Sequence, residues 1–288
     1  MLVRTLHRGL AAAHRGVLRL DRLLAEVAVA LAPPGLERVA GEDHYRAASI
    51  YARPDRQHAG LFPFEHRALA AFFPKPPARL FLPGAGGGRE LLALLDRGYA
   101  VDALEPAPAL ADAARRALAA RGERRGQGPG ASVRCAPLED WAEAPGGPYD
   151  AIFTGWGVWT HLVRRDTRLR VLRAFRQACP RGPVLLSFWR RERVFDAEER
   201  WDAPDPPEER SPLEARAQAV TRGLLRARLL RLPPVEPGTV WRAGLYVHCA
   251  SEAELREEGA ACGYRLAHYE RDGSRYPNAV LVPLTHSE

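Results

Sequence analysis

Four glycines fall within five residues, at positions 84, 86, 87 and 88, and this run constrains the fold more than any other feature of the sequence. The preceding apolar run, residues 79–83, predicts a short buried strand. Residues 89–98 follow with a helical pattern that ends at Gly98. Glycines between a strand and a helix let the backbone approach a ligand closely, and the start of the helix offers free N–H groups. The segment therefore predicts the first strand–turn–helix unit of an α/β fold, with a ligand at the turn.

Strands and helices alternate along the following region. Further short apolar runs predict strands at residues 99–104, 132–135, 151–154 and 184–188. Helical patterns begin near Ala107 and Asp166. Further along, Asp272-Gly273 separates two apolar runs and predicts an antiparallel hairpin. Because continuous apolar strands that alternate with helices indicate parallel pairing, we predict a doubly wound, mostly parallel sheet that ends in this hairpin.

Two less regular regions accompany the predicted sheet. Apolar residues recur at steps of four and three between Leu6 and Leu31, which predicts one long helix that ends at Pro33. This spacing fits a helix packed on its own domain and also a dimer seam. In the second region, apolar residues between Leu213 and Leu224 predict an amphipathic helix. The predicted units are a helical N-terminal lid (1–75), a core (76–190), an insertion that covers the site (191–240) and the C-terminal completion of the core sheet (241–288).

Composition limits the classes of partner. The formal charge is +7 at pH 7, but Lys75 is the only lysine and arginines alternate with acids, as in RRERVFDAEERWD. We interpret this charge as a mixed, solvated surface and expect no nucleic-acid partner.

The four cysteines are widely spaced, which predicts reduced thiols and neither a metal site nor a disulfide framework. No apolar run reaches the roughly 18 residues of a bilayer span, and arginines interrupt the N-terminal apolar segment, so we expect a cytoplasmic protein without a membrane partner.

Three ligand classes use a glycine-rich turn between a strand and a helix. The residues after the last glycine are Arg-Glu, where a P-loop requires Lys followed by Ser or Thr. Arg89 also occupies the third glycine position of the dinucleotide fingerprint, so this chain misses that pattern by one residue. The pattern that remains is G-x-G-x-G at Gly84, Gly86 and Gly88. Glu105 follows at the end of the second predicted strand, where a carboxylate can accept both hydroxyl protons of a ribose.

This combination resembles the class I S-adenosylmethionine-dependent methyltransferases over roughly residues 76–284, and the PGAGGGRE turn resembles a bacterial subgroup of them. The resemblance implies a Rossmann-like, seven-stranded sheet and S-adenosylmethionine as the cofactor. It implies that the cofactor is bound by Tyr51, Gly84, Ala85, Gly86, Gly88, Glu105, Pro106, Leu138, Glu139 and Gly155. The chain departs from the family at two positions: Leu82 stands where the family usually has an acidic residue, and Pro137 where many members have an aspartate near the adenine.

The resemblance places the methyl acceptor at the end of the fourth strand. There His161 is a candidate base or positioning residue, and His248 is a second candidate. The candidate acceptor-binding residues are Tyr45, Phe62, Phe64, Trp156, Trp159 and His161. Each of these aromatic residues has packing in the core as its alternative role. We predict transfer of a methyl group to an oxygen or nitrogen of a small molecule, as in specialised biosynthesis. The alternatives are an RNA or protein methyltransferase and a non-catalytic, cofactor-binding regulatory or assembly protein.

Overall fold

Helices form the N-terminal part of the chain. The computed structural model describes residues 2–47, 49–125, 130–191, 231–232, 235–242, 244–270 and 277–284. The helices before the sheet are α1 (Leu2–Leu31), α2 (Leu36–Ala47), α3 (Pro54–Gln57) and α4 (Pro63–Phe72), with a 3₁₀ turn at Ser49–Ala52. Helix α1 ends before Pro33, as the sequence predicts. Helix α4 begins at Pro63, where no N–H is needed, and Glu65 accepts a hydrogen bond from the Phe62 N–H at 2.7 Å.

The central element is a seven-stranded sheet with the strand order β3-β2-β1-β4-β5-β10-β9. The described strands are β1 (Arg79–Pro83), β2 (Ala100–Glu105), β3 (Ala131–Cys135), β4 (Ala151–Thr154), β5 (Val184–Ser187), β6 (Trp189–Arg190), β7 (Thr239–Arg242), β8 (Leu245–Ala250), β9 (Tyr264–Tyr269) and β10 (Asn278–Pro283). Strands β1 to β5 pair in parallel, whereas β10 is antiparallel to both β5 and β9. The prediction of a mostly parallel sheet with an antiparallel hairpin is confirmed.

Helices cover both faces of this sheet. They are α5 (Arg89–Leu95), α6 (Pro108–Arg125), α7 (Leu138–Trp141), α8 (Arg165–Ala178) and α9 (Glu252–Ala261). Because successive side chains of a strand point to opposite faces, β1 contributes to two apolar cores. Phe81 belongs to one core and stacks on Trp141 at 4.2 Å between ring centroids. Leu80 and Leu82 belong to the other core, together with residues of α5. The sheet is therefore doubly wound.

A second, three-stranded sheet has the order β6-β8-β7. The Arg191 guanidinium donates a hydrogen bond to the carbonyl of Pro237 at 3.0 Å, which joins the end of β6 to the segment before β7. The predicted amphipathic helix between Leu213 and Leu224 lies outside the described residues. The Asp272-Gly273 turn of the hairpin lies outside them as well.

Helix α1 exposes most of its predicted apolar stripe. Val29 and Ala30, near its C-terminal end, are buried, and this end contacts β7. By contrast, Leu10, Val17 and Leu20 are 62%, 63% and 56% exposed. In the part of the chain that the structure describes, none of the helices combines the length and the hydropathy that a bilayer-spanning segment requires.

Candidate active site at the carboxyl ends of the parallel strands

A cavity of about 580 Å³ lies at the carboxyl ends of the parallel strands. Its wall contains Gly84 after β1, Glu105 at the end of β2, Leu138 after β3 and Trp156 after β4. The N-terminal helix α2 contributes a further wall, which includes Tyr45. This volume is within the range of about 300–1,000 Å³ that small-molecule sites occupy. In open α/β sheets, ligands bind in the crevice outside the carboxyl ends of the strands.

The glycine turn brings bare backbone to this cavity. Gly86 has a φ of 53°, which a residue with a Cβ adopts only at a cost, and a Cβ added there would meet no atom within 4 Å. Gly86 therefore presents its backbone to open space in the cavity wall. Gly87 is constrained from the other side, because a Cβ there would lie 2.0 Å from the Tyr51 carbonyl oxygen. The absence of a side chain thus leaves open space in the cavity at Gly86, and at Gly87 it leaves room for the backbone of the N-terminal segment.

Glu105 is fixed by the glycine turn. Its Oε2 accepts a hydrogen bond from the Gly86 N–H at 2.7 Å, and its Oε1 accepts one from the Ala107 N–H at 3.0 Å. Burial raises the pKa of the Glu105 carboxyl, and these two hydrogen bonds act in the opposite direction. A carboxylate has about four lone-pair sites, so two remain for a ligand. The side chain is thus a pre-positioned acceptor in the cavity wall.

A buried ion cluster, defined here as Glu65, Arg89 and Glu90, stands at the β4 end of the cavity. Arg89 Nη1 and Nη2 donate to the two carboxylate oxygens of Glu65 at 2.9 and 2.8 Å. Arg89 Nη2 also donates to Glu90 Oε1 at 2.5 Å. All three side chains are nearly inaccessible to solvent, yet Arg89 and Glu90 contribute to the cavity wall. Sequence reasoning missed this cluster, because Arg-Glu was considered only as a mismatch to other glycine motifs.

Aromatic residues and a histidine form the remaining wall. The Tyr45 hydroxyl lies 2.8 Å from His161 Nε2. Tyr51 and Trp156 meet edge to face with 5.2 Å between ring centroids. Burial, together with a smaller contribution from the nearby His44, lowers the pKa of His161 to about 4. His161 is therefore uncharged at neutral pH and can accept a proton.

Most of the predicted site residues meet in this cavity. Its wall includes Tyr45, Tyr51, Gly84, Ala85, Gly86, Glu105, Pro106, Leu138, Glu139, Trp156 and His161. Gly88 is the N-cap residue of α5. Gly155 lies behind Glu90: a Cβ there would come within 2.5 Å of Glu90 Oε1. These two glycines shape the wall without forming its surface.

Four further predicted residues do not belong to the cavity wall, and two of them, Trp159 and Phe64, are buried in the interior of the protein. Trp159 is fully buried in the core beneath the sheet. Phe64 is buried in α4, and Phe62 stacks on the Arg89 guanidinium at 4.0 Å. His248 lies in β8, whose six residues are all buried, with its Nε2 3.0 Å from Glu254 Oε1.

Comparison with known proteins agrees with this architecture. No protein-family model matches the sequence, and the search of curated proteins finds no match. Among solved structures, a 1,6-didemethyltoxoflavin N1-methyltransferase from Burkholderia thailandensis superposes with a TM-score of 0.56 at 16% identity, covering 88% of this chain and 92% of that chain. The chain has the fold of the S-adenosylmethionine-dependent methyltransferases.

Two further structures give the same result. An amino pentose methyltransferase from Micromonospora echinaspora has a TM-score of 0.52 at 18% identity and covers 82% of this chain and 95% of that chain. The magnesium protoporphyrin IX methyltransferase from Synechocystis has a TM-score of 0.51 at 13% identity, with 86% and 97% covered. At such identities the likeness concerns the fold, so the activity must be argued from the site.

Proposed function

We propose that this protein is an S-adenosylmethionine-dependent methyltransferase that acts on an oxygen or nitrogen of a small molecule in specialised biosynthesis. The observation that carries the proposal is the Glu105 carboxylate, which lies in the cavity wall beside the bare backbone of Gly86. Two compared enzymes support the substrate class, since one has 1,6-didemethyltoxoflavin bound and the other is named for calicheamicin biosynthesis. The PGAGGGRE turn supports a place in the bacterial subgroup with that sequence.

The cavity fits this cofactor at its nucleoside end. The two remaining lone-pair sites of Glu105 match the two hydroxyl groups of a ribose. The open space at Gly86 admits a ligand against the backbone. Pro106 and Leu138 offer apolar surface for an adenine ring, and Glu139 lies beside them as a hydrogen-bond acceptor for its amino group. The contact with adenine therefore does not depend on an aspartate at position 137.

The opposite end of the cavity suits the transfer step. The bound cofactor supplies an electrophilic methyl group on a positively charged sulfur. Tyr51 and Trp156 present aromatic rings there, and such rings attract a cation by roughly 0.5–2 kcal/mol. Positioning of the two reactants contributes up to about 7–11 kcal/mol to such a displacement. His161, uncharged and hydrogen-bonded to Tyr45, can take up the Tyr45 hydroxyl proton while that hydroxyl oxygen takes the proton that a hydroxyl or amine acceptor releases.

Calorimetric titration tests the cofactor. We expect S-adenosylmethionine and S-adenosylhomocysteine to bind and NADH not to bind. Glu105→Ala removes two hydrogen bonds to a charged acceptor, each worth about 1.5–3 kcal/mol, so the dissociation constants should rise at least about a hundredfold. Asp102→Ala is the matched control, because Asp102 lies on the same strand but pairs with Arg79 outside the cavity. Binding of NADH alone, or equal affinity in Glu105→Ala and wild type, would contradict the proposal.

The acceptor end has a test of its own. An acceptor can be identified by screening small hydroxyl and amine compounds for S-adenosylhomocysteine production. With that acceptor, Tyr45→Phe and His161→Gln should lower kcat by about a hundred- to ten-thousandfold. Neither substitution should change the affinity for S-adenosylhomocysteine more than about twofold, because both residues lie beyond the nucleoside end. A weakened cofactor affinity with unchanged kcat would indicate that Tyr45 and His161 contact the cofactor rather than the methyl acceptor. Cofactor binding without turnover of any acceptor would favour the non-catalytic alternative.

We also propose that α1 pairs with the α1 of a second copy. Its exposed apolar residues keep the alternating steps of four and three that define a coiled-coil seam. A strict seven-residue repeat over more than three heptads favours a helical partner over a flat lipid surface. Leu20→Glu places a charge in the seam and should yield a monomer in sedimentation velocity. Ala12→Glu, on another exposed face, should leave a dimer. A monomeric wild type would refute this pairing.

A further inference from the structure

The cavity has two chemically distinct ends. It extends across the carboxyl ends of four neighbouring strands, from Leu138 after β3 to Trp156 after β4. Glu105 on β2 marks the nucleoside end. The buried ion cluster of Glu65, Arg89 and Glu90 stands at the other end, so the two acidic sites are separated by the glycine turn after β1.

The two carboxylates of the cluster, Glu65 and Glu90, differ in their hydrogen bonds and in their access to the cavity. Both oxygens of Glu65 are engaged, since Oε1 and Oε2 accept from Arg89 and Oε2 also accepts from the Phe62 N–H. Glu65 does not belong to the cavity wall, whereas Glu90 does. Glu90 accepts from Arg89 through Oε1 and stands against the bare backbone of Gly155. Within the cluster, Glu90 is therefore the carboxylate that a ligand can reach.

The cluster carries a charge imbalance that a ligand can correct. One guanidinium faces two carboxylates, so the fully ionised cluster has a net charge of −1 in a site almost closed to water. Burial raises the pKa of Glu90 to about 7, while Arg89 lowers it and Glu65 raises it. A cationic group from a ligand would stabilise the ionised carboxylate and complete the ion pairing.

We infer that Glu90 binds the cationic amino group at the methionine end of the cofactor. This inference rests on the proposed function and adds a residue that the family resemblance does not supply. Leu82, where the resemblance leads one to look for a carboxylate, is fully buried in the apolar core. Glu90, in the first turn of α5, provides the negative charge instead. Arg89 donates a hydrogen bond to Glu90 and is itself held by Glu65.

Binding of two ligands tests this assignment. One ligand is S-adenosylhomocysteine, and the other is its deamino analogue, in which hydrogen replaces the amino group. A hydrogen bond between two charged groups accounts for about ten- to a hundredfold in affinity. Glu90→Gln should therefore weaken S-adenosylhomocysteine by about ten- to a hundredfold and the deamino analogue by less than about twofold. The wild type should prefer S-adenosylhomocysteine to the analogue by a similar factor, and Glu90→Gln should lose that preference.

Two further variants separate direct contact from loss of charge or of fold. Glu65→Gln removes one carboxylate from the cluster without touching the cavity wall, so the preference for the amino group should persist. Glu90→Asp keeps the charge but shortens the side chain, and it should retain part of the preference. Thermal melting of each variant without ligand reports its folding independently of binding.

The outcomes distinguish this inference from the proposed function. An unchanged preference in Glu90→Gln, or an equal loss in Glu65→Gln, would overturn the assignment to Glu90. The proposed function would survive either result as long as Glu105→Ala weakens both ligands. A wild type that binds neither ligand would overturn the proposed function and the inference together.

Discussion

His161 should make the stability of the protein depend on pH in the weakly acidic range. Its Nε2 lies 2.8 Å from the Tyr45 hydroxyl, and burial lowers its pKa to about 4, with His44 as a second cause. An unfolded chain places the same imidazole in water, where its pKa is about 6.5. The native state therefore binds this proton more weakly than the unfolded state does.

The magnitude follows from the two pKa values. Below pH 6.5 the unfolded chain binds a proton that native His161 does not, so the free energy of unfolding falls as the pH decreases. The His161 contribution is fully retained above about pH 6.5 and fully lost below about pH 4. With 1.36 kcal/mol for each pKa unit, the loss between pH 7 and pH 5 is about 2 kcal/mol, and it approaches about 3 kcal/mol at lower pH.

Urea unfolding of wild type and His161→Gln at pH 7 and pH 5 measures this loss. The glutamine side chain can still accept a hydrogen bond from Tyr45 but does not titrate. Every other ionisable group is common to both proteins, so the difference between the two pH dependences isolates His161. Wild type should lose about 2 kcal/mol more than the variant. An equal loss in both proteins would refute a buried, uncharged imidazole and, with it, the proton-accepting role of His161.

Two further predictions concern packing at the glycine turn and around Arg168, which does not belong to the cavity wall. Gly87→Ala places a Cβ 2.0 Å from the Tyr51 carbonyl oxygen and should lower the melting temperature by many degrees. Gly122→Ala is the control, because Gly122 lies in a helix and no atom is within 4 Å of the added Cβ. This substitution should leave the melting temperature unchanged or raise the free energy of unfolding by up to about 1 kcal/mol. Arg168→Met removes the guanidinium that pairs with the fully buried Glu258 and leaves that carboxylate with the more distant Arg165 Nε at 3.8 Å, so it should cost up to about 3–5 kcal/mol in urea unfolding. A melting temperature equal to wild type in Gly87→Ala, or an unchanged unfolding free energy in Arg168→Met, would contradict these packing arguments.

The core strands are predictable because their signal is local. The predicted bounds of β1 and β4 agree with the structure, since β4 is buried along its length and β1 is buried at every residue after the exposed Arg79. The glycine turn and Glu105 are also predictable, because a strand, a turn and the next strand fix their relative positions. Glu105 and Gly86 are 19 residues apart, yet β1 and β2 are neighbours in the sheet.

The remaining parts of the site depend on contacts between distant segments. Tyr45 and His161 are 116 residues apart, and no periodicity of the sequence relates them. The contact between Arg89 and Glu65 requires α4 to pack beside α5, which the composition of neither helix indicates. His248 shows the converse: a histidine on an apolar strand has the same sequence pattern whether its side chain reaches the cavity or, as here, is buried beside Glu254.

The charges on the cavity wall bear on the class of acceptor. The whole chain has a formal charge of +7, which by itself would suit a polyanion. The cavity wall, however, contains five glutamates (Glu37, Glu42, Glu90, Glu105 and Glu139) and three arginines (Arg38, Arg46 and Arg89). The wall therefore offers no concentration of positive charge that would hold a phosphate-rich acceptor. Among the described residues of the cavity wall the carboxylates outnumber the guanidinium groups, and this balance supports the proposal of a small-molecule acceptor rather than RNA.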